Sequence, residues 1–529
     1  MGSVTSGGSL IIDTGGNLDI ADNATVLADS NGNGLDTGNI EVLAIRAAGD
    51  IIAGTDSSIM GGTGDGTVDV IISSAFDESG PLSAGDLTVY NVTGNNVRLN
   101  GQGTDGSLVT VNGDVAADSN LQLSSTGDVN IANTGSLTAG NNTQILARDI
   151  DLQGGVSAPQ VEIVSRSDGL VLGETSDDIP DTLGISQVEY ALITSDRLDL
   201  YASNWGEAIT TDTASSAGIS EDSFGSEYFI TTRPDADSAD LSNVTANDLI
   251  IGDLTFTENS PNIRALTLSM GGGEVGDIVV SGIVDNGGNL NATLEIGDFE
   301  NTGSGWRPNL AHISGQLGNN GDSQGLEGNQ GFWLDAIRIS ADSIVIGTDE
   351  FLNEYLAAQN SESDFRPERI VVDESNSFRV WLASNTLQLR ADGDIVQENT
   401  GNRAGVSNTY VIFVSTAEIG SELVGEFTQG GRDGPGQIDL FGVVIDDNGN
   451  ALFGPSSALT ENLLGNLDRQ PAFRFNACSF GTTTCTAVGD FFFEPNLEDI
   501  AKQVDTVYAP EDEEEREAVI GVLNIEPLN

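Results

Sequence analysis

The two cysteines, Cys478 and Cys485, are the residues of this sequence whose spacing points to covalent chemistry. They stand close together in the chain, and the single histidine, His312, lies far from both. A structural zinc site needs four cysteine or histidine ligands, so the pair favours a disulfide that closes a hairpin. Two reduced, buried thiols are the alternative. A disulfide would indicate an oxidising compartment.

A short polar segment offers oxygen ligands for a cation. Asp29, Asn31 and Asn33 stand at alternate positions, and a glycine is the sixth residue, as at the start of a calcium-binding loop. Ile40 occupies the position of the usual bidentate glutamate, and Glu41 follows one residue late. The pattern predicts a turn that binds calcium loosely, with a corner rich in Asp and Asn as the alternative.

Candidates for acid–base catalysis are few. His312 has no serine or cysteine nucleophile motif around it, so we expect a packed residue of a polar loop excursion and not a base. The pairs Asp177-Asp178 and Asp446-Asp447 could provide the two carboxylates of a glycosidase, but neither stands beside an arginine, lysine or histidine. The sequence therefore predicts no enzymatic activity and no cofactor apart from calcium.

The charge of the chain restricts its partners. Acidic side chains number 81 against 19 basic ones, which gives a formal net charge of -62. Such a surface cannot neutralise phosphates, so nucleic acid is excluded as a partner. Anionic glycans and membranes would be repelled unless calcium bridged the two surfaces. The sequence contains no run of about 18 apolar residues that would span a bilayer as a helix.

Short strands separated by tight turns are the dominant pattern. The 529 residues include 66 glycines and 13 prolines. Between Leu121 and Val161, apolar triplets recur about every eight residues, so three strands and three corners make a repeat of about 20 to 24 residues. The pattern predicts an all-β fold, a three-faced parallel β-helix (a β-solenoid) in which Leu121 and Leu123 point inward and Gln122 points outward.

A Gly-Asp pair precedes several of the predicted strands, for example at Asp50, Asp86 and Asp277. Glycine permits the positive φ of a corner, and the aspartate can accept hydrogen bonds from its own neighbouring backbone amides. We therefore expect these aspartates to be turn residues and not catalytic groups.

The chain divides into a series of segments. The spacing of Phe351, Leu352, Tyr355 and Leu356 predicts a short helix that lies on the strands. Six phenylalanines near the cysteines indicate a terminal cap that would protect an open strand edge. The predicted segments are a β-solenoid at 1–204, a loop excursion at 205–238, a β-solenoid at 239–462 with insertions at 302–330 and 349–375, a C-terminal cap at 463–500 and an acidic tail at 501–529.

Two modules carry a resemblance to a known family. They are 119–131, with the sequence SNLQLSSTGDVNI, and 135–140, with the sequence GSLTAG. With them the chain resembles the filamentous-haemagglutinin-type exoproteins that Gram-negative bacteria export by two-partner secretion. The resemblance is good over residues 1–200 and loose over residues 240–450. The resemblance implies a right-handed parallel β-helix outside the cell or on its surface, with roles in adhesion, aggregation or biofilm formation.

The family's N-terminal secretion domain is not evident, and the first strand pattern begins near Leu10 without a signal peptide. We therefore expect a distal, C-terminal portion of a longer exoprotein. The expected function is that of a structural and adhesive module, which assembles into a filament or surface layer or binds a glycan or another cell-surface partner. A polysaccharide-active lyase or glycosidase on the same scaffold is the alternative.

Overall fold

The structure is a computed structural model. It is all-β, built mostly from parallel sheets, and the described part of the chain contains two short helices. The described residues are 1–29, 41–62, 68–76, 85–103, 106–167, 169–173, 182–202, 248–267, 276–299, 307–318, 333–360, 381–391, 393–397, 412–421, 438–445, 451–452, 473–478 and 485–487.

The strands are short, and they follow one another at brief intervals. The first twenty-four are β1 Val4–Thr5, β2 Leu10–Thr14, β3 Leu18–Ile20, β4 Thr25–Leu27, β5 Glu41–Ala47, β6 Ile51–Ala53, β7 Ser58–Met60, β8 Val68–Ser74, β9 Leu87–Val89, β10 Asn91–Gly94, β11 Val97–Gly101, β12 Val109–Val111, β13 Asp114–Ala117, β14 Asn120–Ser125, β15 Val129–Ile131, β16 Ser136–Ala139, β17 Asn142–Ala147, β18 Ile150–Leu152, β19 Gly155–Ser157, β20 Gln160–Ser165, β21 Gly169–Leu172, β22 Leu183–Ile185, β23 Ile193–Thr194 and β24 Arg197–Tyr201.

The remaining strands include the two longest of the described part of the chain, with 11 and 10 residues. They are β25 Asp248–Ile251, β26 Leu254–Thr255, β27 Asn262–Leu266, β28 Ile278–Val280, β29 Ile283–Asp285, β30 Thr293–Ile296, β31 Leu310–Ile313, β32 Gln316–Leu317, β33 Leu334–Ala341, β34 Ser343–Ile346, β35 Trp381–Ala391, β36 Ile395–Gln397, β37 Ile412–Ser421, β38 Ile438–Ile445, β39 Ala451–Leu452, β40 Phe473–Cys478 and β41 Cys485–Ala487.

Most successive strands belong to different sheets in rotation, so most strands are paired with one that lies about three strands away in sequence. Sheet A contains β1, β4, β7, β10, β13, β16, β19 and β23, and sheet C contains β3, β6, β9, β12, β15 and β18. Sheet B contains β2, β5, β8, β11, β14, β17, β20, β24, β27, β30, β33, β35 and β37. Sheet D contains β22, β21, β25, β28, β31, β34, β36, β38 and β40, and β26, β29 and β32 form a ladder that ends on β35. All of these pairings are parallel.

The core is one cluster of stacked aliphatic side chains that extends from Ile20 to Ile395. Leu121 and Leu123 belong to it, as the sequence predicted, with exposures of 1% and 0%. Gln122 faces away from this cluster, yet it is only 2% exposed. Its outward direction is as predicted, and the outer face of sheet B is covered at this position.

The spacing between paired strands varies around the predicted repeat. Gln122 and Gln144, which are paired, are 22 residues apart, whereas Gln144 and Glu162 are 18 apart. The excursion predicted at 205–238 lies outside the described residues. The insertion predicted at 302–330 was wrong in part, because β31 and β32 lie within it and pair in register with β28 and β29.

Inward hydroxyl groups fix the points at which the chain leaves sheet B. Ser74 donates from its Oγ to the carbonyl oxygen of Gly85 at 2.7 Å, and Thr267 makes the equivalent bond to Gly276 at 3.3 Å. Each bond joins a residue at the end of one strand to a glycine that lies just before the next strand. Segments of different length can therefore be inserted between these points without a change in strand pairing.

The two helices differ in length and role. Helix α1, Gln187–Tyr190, is a single turn with Ser186 as N-cap, and helix α2 is Asp349–Asn360. Helix α2 confirms the helix predicted there. Its Phe351 and Tyr355 are buried against the outer face of sheet D, although Leu356, which was expected on the same apolar face, is 41% exposed. Among the described residues, no helix is both long and apolar enough to cross a membrane.

The direction of pairing changes at the C-terminal end of the stack. Strand β39 is antiparallel to β38, and β41 is antiparallel to β40, with Cys478 directly opposite Cys485. The backbone register is therefore that of a hairpin with the two cysteines facing each other across it. The disulfide itself stays a prediction.

Truncation of the stacked core tests this arrangement. We expect Leu123→Ala to lower the free energy of unfolding by about 3 kcal/mol, because it removes buried methyl groups and leaves a cavity. Thr138→Ala, on the exposed face of β16, is the control and should change it by less than about 1 kcal/mol. Denaturant unfolding of both variants measures the difference, and equal effects would contradict the inward placement of Leu123.

Candidate functional site

A row of polar side chains runs across sheet B, on the face opposite the apolar core. Most members stand between two apolar residues of their strand, as Glu162 does between Val161 and Ile163. Because side chains alternate along a strand, the apolar neighbours point into the core and the polar residue points away from it. The members of this polar row are Gln122, Gln144, Glu162, Asp199, Arg264, Glu295 and Arg338.

The polar row is buried, although it lies on the outer face. Six of its seven members expose 8% of their surface or less, and only Arg338 is more open. Residues that follow the strands help to cover this face. Arg166 extends from the end of β20 to donate to Ser124 Oγ at 2.9 Å, and the guanidinium of Arg390 lies 4.4 Å from the centre of the Phe299 ring.

Amide side chains connect the first three members of the polar row. Gln122 donates from Nε2 to Gln144 Oε1 at 2.6 Å, and Gln144 donates from Nε2 to Glu162 Oε2 at 2.9 Å. Gln160, which lies beside the row on β20, donates to Glu162 Oε1 at 2.7 Å. Both carboxylate oxygens of Glu162 thus accept hydrogen bonds from neutral amides.

Asp199 is the most strongly paired member of the polar row. Arg264 donates to it from Nε and Nη2, with Nε 3.0 Å from Oδ1, and this two-point contact suits the planar guanidinium. Arg197 Nε also lies 3.0 Å from Asp199 Oδ1, and Gln160 donates to Oδ2 at 2.8 Å. Two cations and one amide therefore surround a carboxylate that has no solvent exposure.

The pKa values follow from burial and from these neighbours. Burial, with a smaller contribution from the negative charge of Asp199, raises the pKa of Glu162 to about 7, against the opposing effect of its amide donors and Arg264. Burial works against the charge on Arg264, but the adjacent Asp199 carboxylate outweighs it and raises the arginine pKa. Glu162 and Asp199 are the only like-charged neighbours within the polar row.

The arrangement brings together two carboxylates and an arginine, a combination that glycosidases and lyases also use. Gln160 bonds to Glu162 and to Asp199 at once, so the two carboxylates lie close together. Their exposures are 5% and 0%, and their oxygens are occupied by amide and guanidinium donors. A sugar ring has no access to them in this arrangement, and the chemistry they perform is the binding of one strand to the next.

Aspartates at the corners make a second set of contacts between layers. Asp50 Oδ1 accepts from the backbone amide of Asp86 at 3.0 Å, and Asp86 Oδ1 accepts from that of Leu108 at 2.9 Å. Asp248 bonds to the amide of Asp277 in the same way at 2.9 Å. The expectation that these side chains bond their own neighbouring amides was therefore wrong for Asp50 and Asp86, whose bonds reach the next paired strand.

Stacking of the corner acids places like charges next to each other and changes the pKa of Asp277. Burial and the adjacent Asp248 raise the pKa of Asp277 to about 6. Asp394, from another Gly-Asp pair, is 3% exposed and accepts a hydrogen bond from Tyr355 on helix α2 at 3.1 Å. Corner acids thus serve as hydrogen-bond acceptors within the fold.

His312 lies in a strand and not in a polar excursion, so that part of the prediction was wrong. It is 1% exposed, and it is paired in register with Val279 and Val345 on sheet D. Its Nε2 lies 3.0 Å from the carbonyl oxygen of Gly347, and burial lowers its pKa. It is a packed residue, as expected, beneath the start of helix α2.

The other sites predicted from the sequence are only partly described. Asp29 is fully buried with a φ of 50°, and its amide donates to the carbonyl oxygen of Gly8. Asn31, Asn33 and both acidic pairs lie outside the described residues, so the calcium turn stays a prediction. Within the described ranges, no group of three or more His, Cys, Asp or Glu side chains is placed to hold a metal ion.

The polar row has a signal in the sequence that strand spacing does not include. A single polar residue interrupts otherwise apolar strand centres, as in Leu198-Asp199-Leu200 and Ile337-Arg338-Ile339. Taken one at a time, such residues are typical of an outward, solvated position. Only the alignment of successive strands reveals that the charges lie next to one another.

Removal of one partner from the buried ion pair tests the role of the polar row. We expect Asp199→Ala to lower the free energy of unfolding by about 3 to 5 kcal/mol, because Arg264 would be left buried without its carboxylate. Asp151→Ala, at an exposed position of β18, should cost less than about 1 kcal/mol. Denaturant unfolding compares the two, and a small effect at Asp199 would show that the row carries little of the stability.

Comparisons of the chain with family models, with curated proteins and with solved structures gave no match.

Proposed function

We propose that this chain is a right-handed parallel β-helix that serves as the shaft of an extracellular structural or adhesive protein. The observation that carries the proposal is the rotation of most successive strands among sheets, with parallel, in-register pairing of strands that mostly lie three apart in sequence. One layer of three strands corresponds to one rung of such a helix. Rungs can be added without a change in cross-section, which is the requirement for an elongated shaft.

The satisfied polar row supports a structural role over a catalytic one. Its carboxylates and guanidinium groups bond to each other across neighbouring strands and are shielded from solvent. A catalytic site needs such groups to face a cleft that a substrate can enter. Here these groups cross-link neighbouring rungs, as a structural rod requires.

The end of the stack supports the predicted cap. An additional rung joins a parallel β-helix through parallel pairing, and the antiparallel hairpin of β40 and β41 interrupts that pattern. A disulfide between Cys478 and Cys485 would close this hairpin and would suit an oxidising, extracellular location. The net charge of -62 would keep neighbouring shafts apart and soluble.

The resemblance to filamentous-haemagglutinin-type exoproteins supports adhesion as the role of the shaft. In this proposal the protein lies on the surface of a Gram-negative bacterium and binds a glycan or another cell-surface partner, or assembles with copies of itself. Calcium would assist such contacts by bridging acidic surfaces.

One observation favours the second candidate, a polysaccharide-active enzyme. Glu162 and Asp199 are adjacent carboxylates with Arg264 beside them. Their burial opposes this candidate, because hydrolysis or elimination needs contact between these groups and the sugar.

Binding and turnover assays on the same glycans distinguish the two functions. The shaft proposal predicts saturable binding of the intact chain to cells or immobilised glycans, with no release of reducing ends or unsaturated sugars. Glu162→Gln should leave that binding unchanged, since the side chain is buried. Sugar release by the wild-type chain that Glu162→Gln abolishes would contradict the proposal and establish the enzyme.

A further inference from the structure

The polar row contains one electrostatic conflict. Along the row, acidic and basic side chains alternate from Asp199 to Arg338, but Glu162 and Asp199 are two acids on directly paired residues. Paired residues of parallel strands lie about 4.8 Å apart, and at low effective dielectric two charges at that distance repel strongly. The conflict is located where β20 joins β24.

The two carboxylates are not equally compensated. Arg264 makes both of its bonds to Asp199, and Arg197 also lies against Asp199. The partners of Glu162 are neutral amides, from Gln144 on one side and Gln160 on its own strand. Glu162 is therefore a buried acid without a cation of its own in its hydrogen-bond set.

All neighbouring elements contribute to this balance. Strand β17, on one side of Glu162, carries only uncharged residues, including Asn142 and Gln144. Strand β24, on the other side, carries Arg197, Asp199 and the buried phenol of Tyr201, and Arg264 follows on β27. Arg166, at the end of β20, is engaged with Ser124. The charged residue paired directly with Glu162 is thus Asp199, a second acid.

We propose that Glu162 and Asp199 form an acid-set clasp, in which Glu162 takes up one proton from solvent, and the Gln160 amide that bonds to both side chains then ties β20 to β24 without repulsion between them. Gln160 Nε2 donates to Glu162 Oε1 and to Asp199 Oδ2, and a carboxyl oxygen of the protonated acid can still accept such a bond. The other oxygen, Oε2, continues to accept from Gln144. One proton therefore removes the repulsion between two buried charges.

The pH range of the clasp follows from linkage. The pKa of Glu162 is raised to about 7 in the folded chain, from an ordinary value of 4.5. Between these values the folded chain binds a proton that the unfolded chain does not, so this group adds stability as the pH falls. The contribution is complete below the unfolded value and is lost as the pH rises through about 7. In mild acid the clasp therefore stabilises the pairing of β20 with β24.

The experiment compares the pH dependence of unfolding in three chains between pH 5 and pH 8. In the wild type, this one proton should change the ratio of folded to unfolded chain by up to about tenfold per pH unit within its range. Glu162→Gln, which carries no titratable group at this position, should lose this part of the slope.

Glu258→Gln is the matched control, because Glu258 is an exposed glutamate. It removes the same charge from the chain and should keep the slope of the wild type, so general relief of the negative charge is separated from the clasp. Equal slopes in Glu162→Gln and Glu258→Gln would overturn the proposal.

A measurement on the wild type keeps the proposal falsifiable if the variant fails to fold. Carboxyl-labelled glutamate allows the side-chain resonances to be followed by NMR as the pH is changed. One glutamate should titrate near pH 7, well above the others. If every glutamate of the folded chain titrates below about 5, near its ordinary value, the clasp does not exist.

Discussion

Parallel, in-register pairing of strands that mostly lie three apart in sequence is the constraint on which the other features of this protein depend. In such pairing each side chain lies directly on its equivalent in the next strand, about 4.8 Å away. Leu121 lies between Val97 and Thr143 in this way, and Leu123 lies between Leu99 and Ile145. The aliphatic core is therefore a set of columns, in which the side chains that fill one layer also form the floor of the next.

The same geometry makes charge difficult to accommodate, because like would be stacked on like. In the polar row the order of the residues avoids most stacking of like charges. Amides come first, and they are followed by acids and arginines that face each other. The corner aspartates solve it differently, since each directs its carboxylate to the backbone amide of the next strand. An acidic chain can thus stack many acids, provided that each has a donor one layer away. Glu162 and Asp199 are the place in the row where this order is broken.

The sequence was informative where the signal is local. The inward positions of Leu121 and Leu123 follow from alternation within one strand, and helix α2 follows from apolar spacing over two turns. The burial of Gln122 and the pairing of Asp199 with Arg264 depend on which strands are neighbours. Those strands are separated by insertions of variable length, so their register cannot be read from spacing.

The insertion predicted at 302–330 was wrong in part for the same reason. Polar composition around His312 indicated a loop, yet the pairing of its strand with neighbours on both sides holds a polar residue within sheet D. Tertiary context overrode the local pattern there. The disulfide, the calcium turn and the adhesive role depend on residues or partners beyond what strand pairing decides, and they stay predictions.

The central claim is the in-register stacking, and distances along one column of sheet A test it most directly. Exposed positions Thr5, Thr93, Thr138 and Thr194 belong to the same column of paired residues. Spin labels at Thr5 and at each of the other three, measured by pulsed dipolar spectroscopy, should give backbone separations of about 14, 24 and 34 Å, in proportion to the number of strands between them. Distances that do not increase in this proportion would contradict the stack.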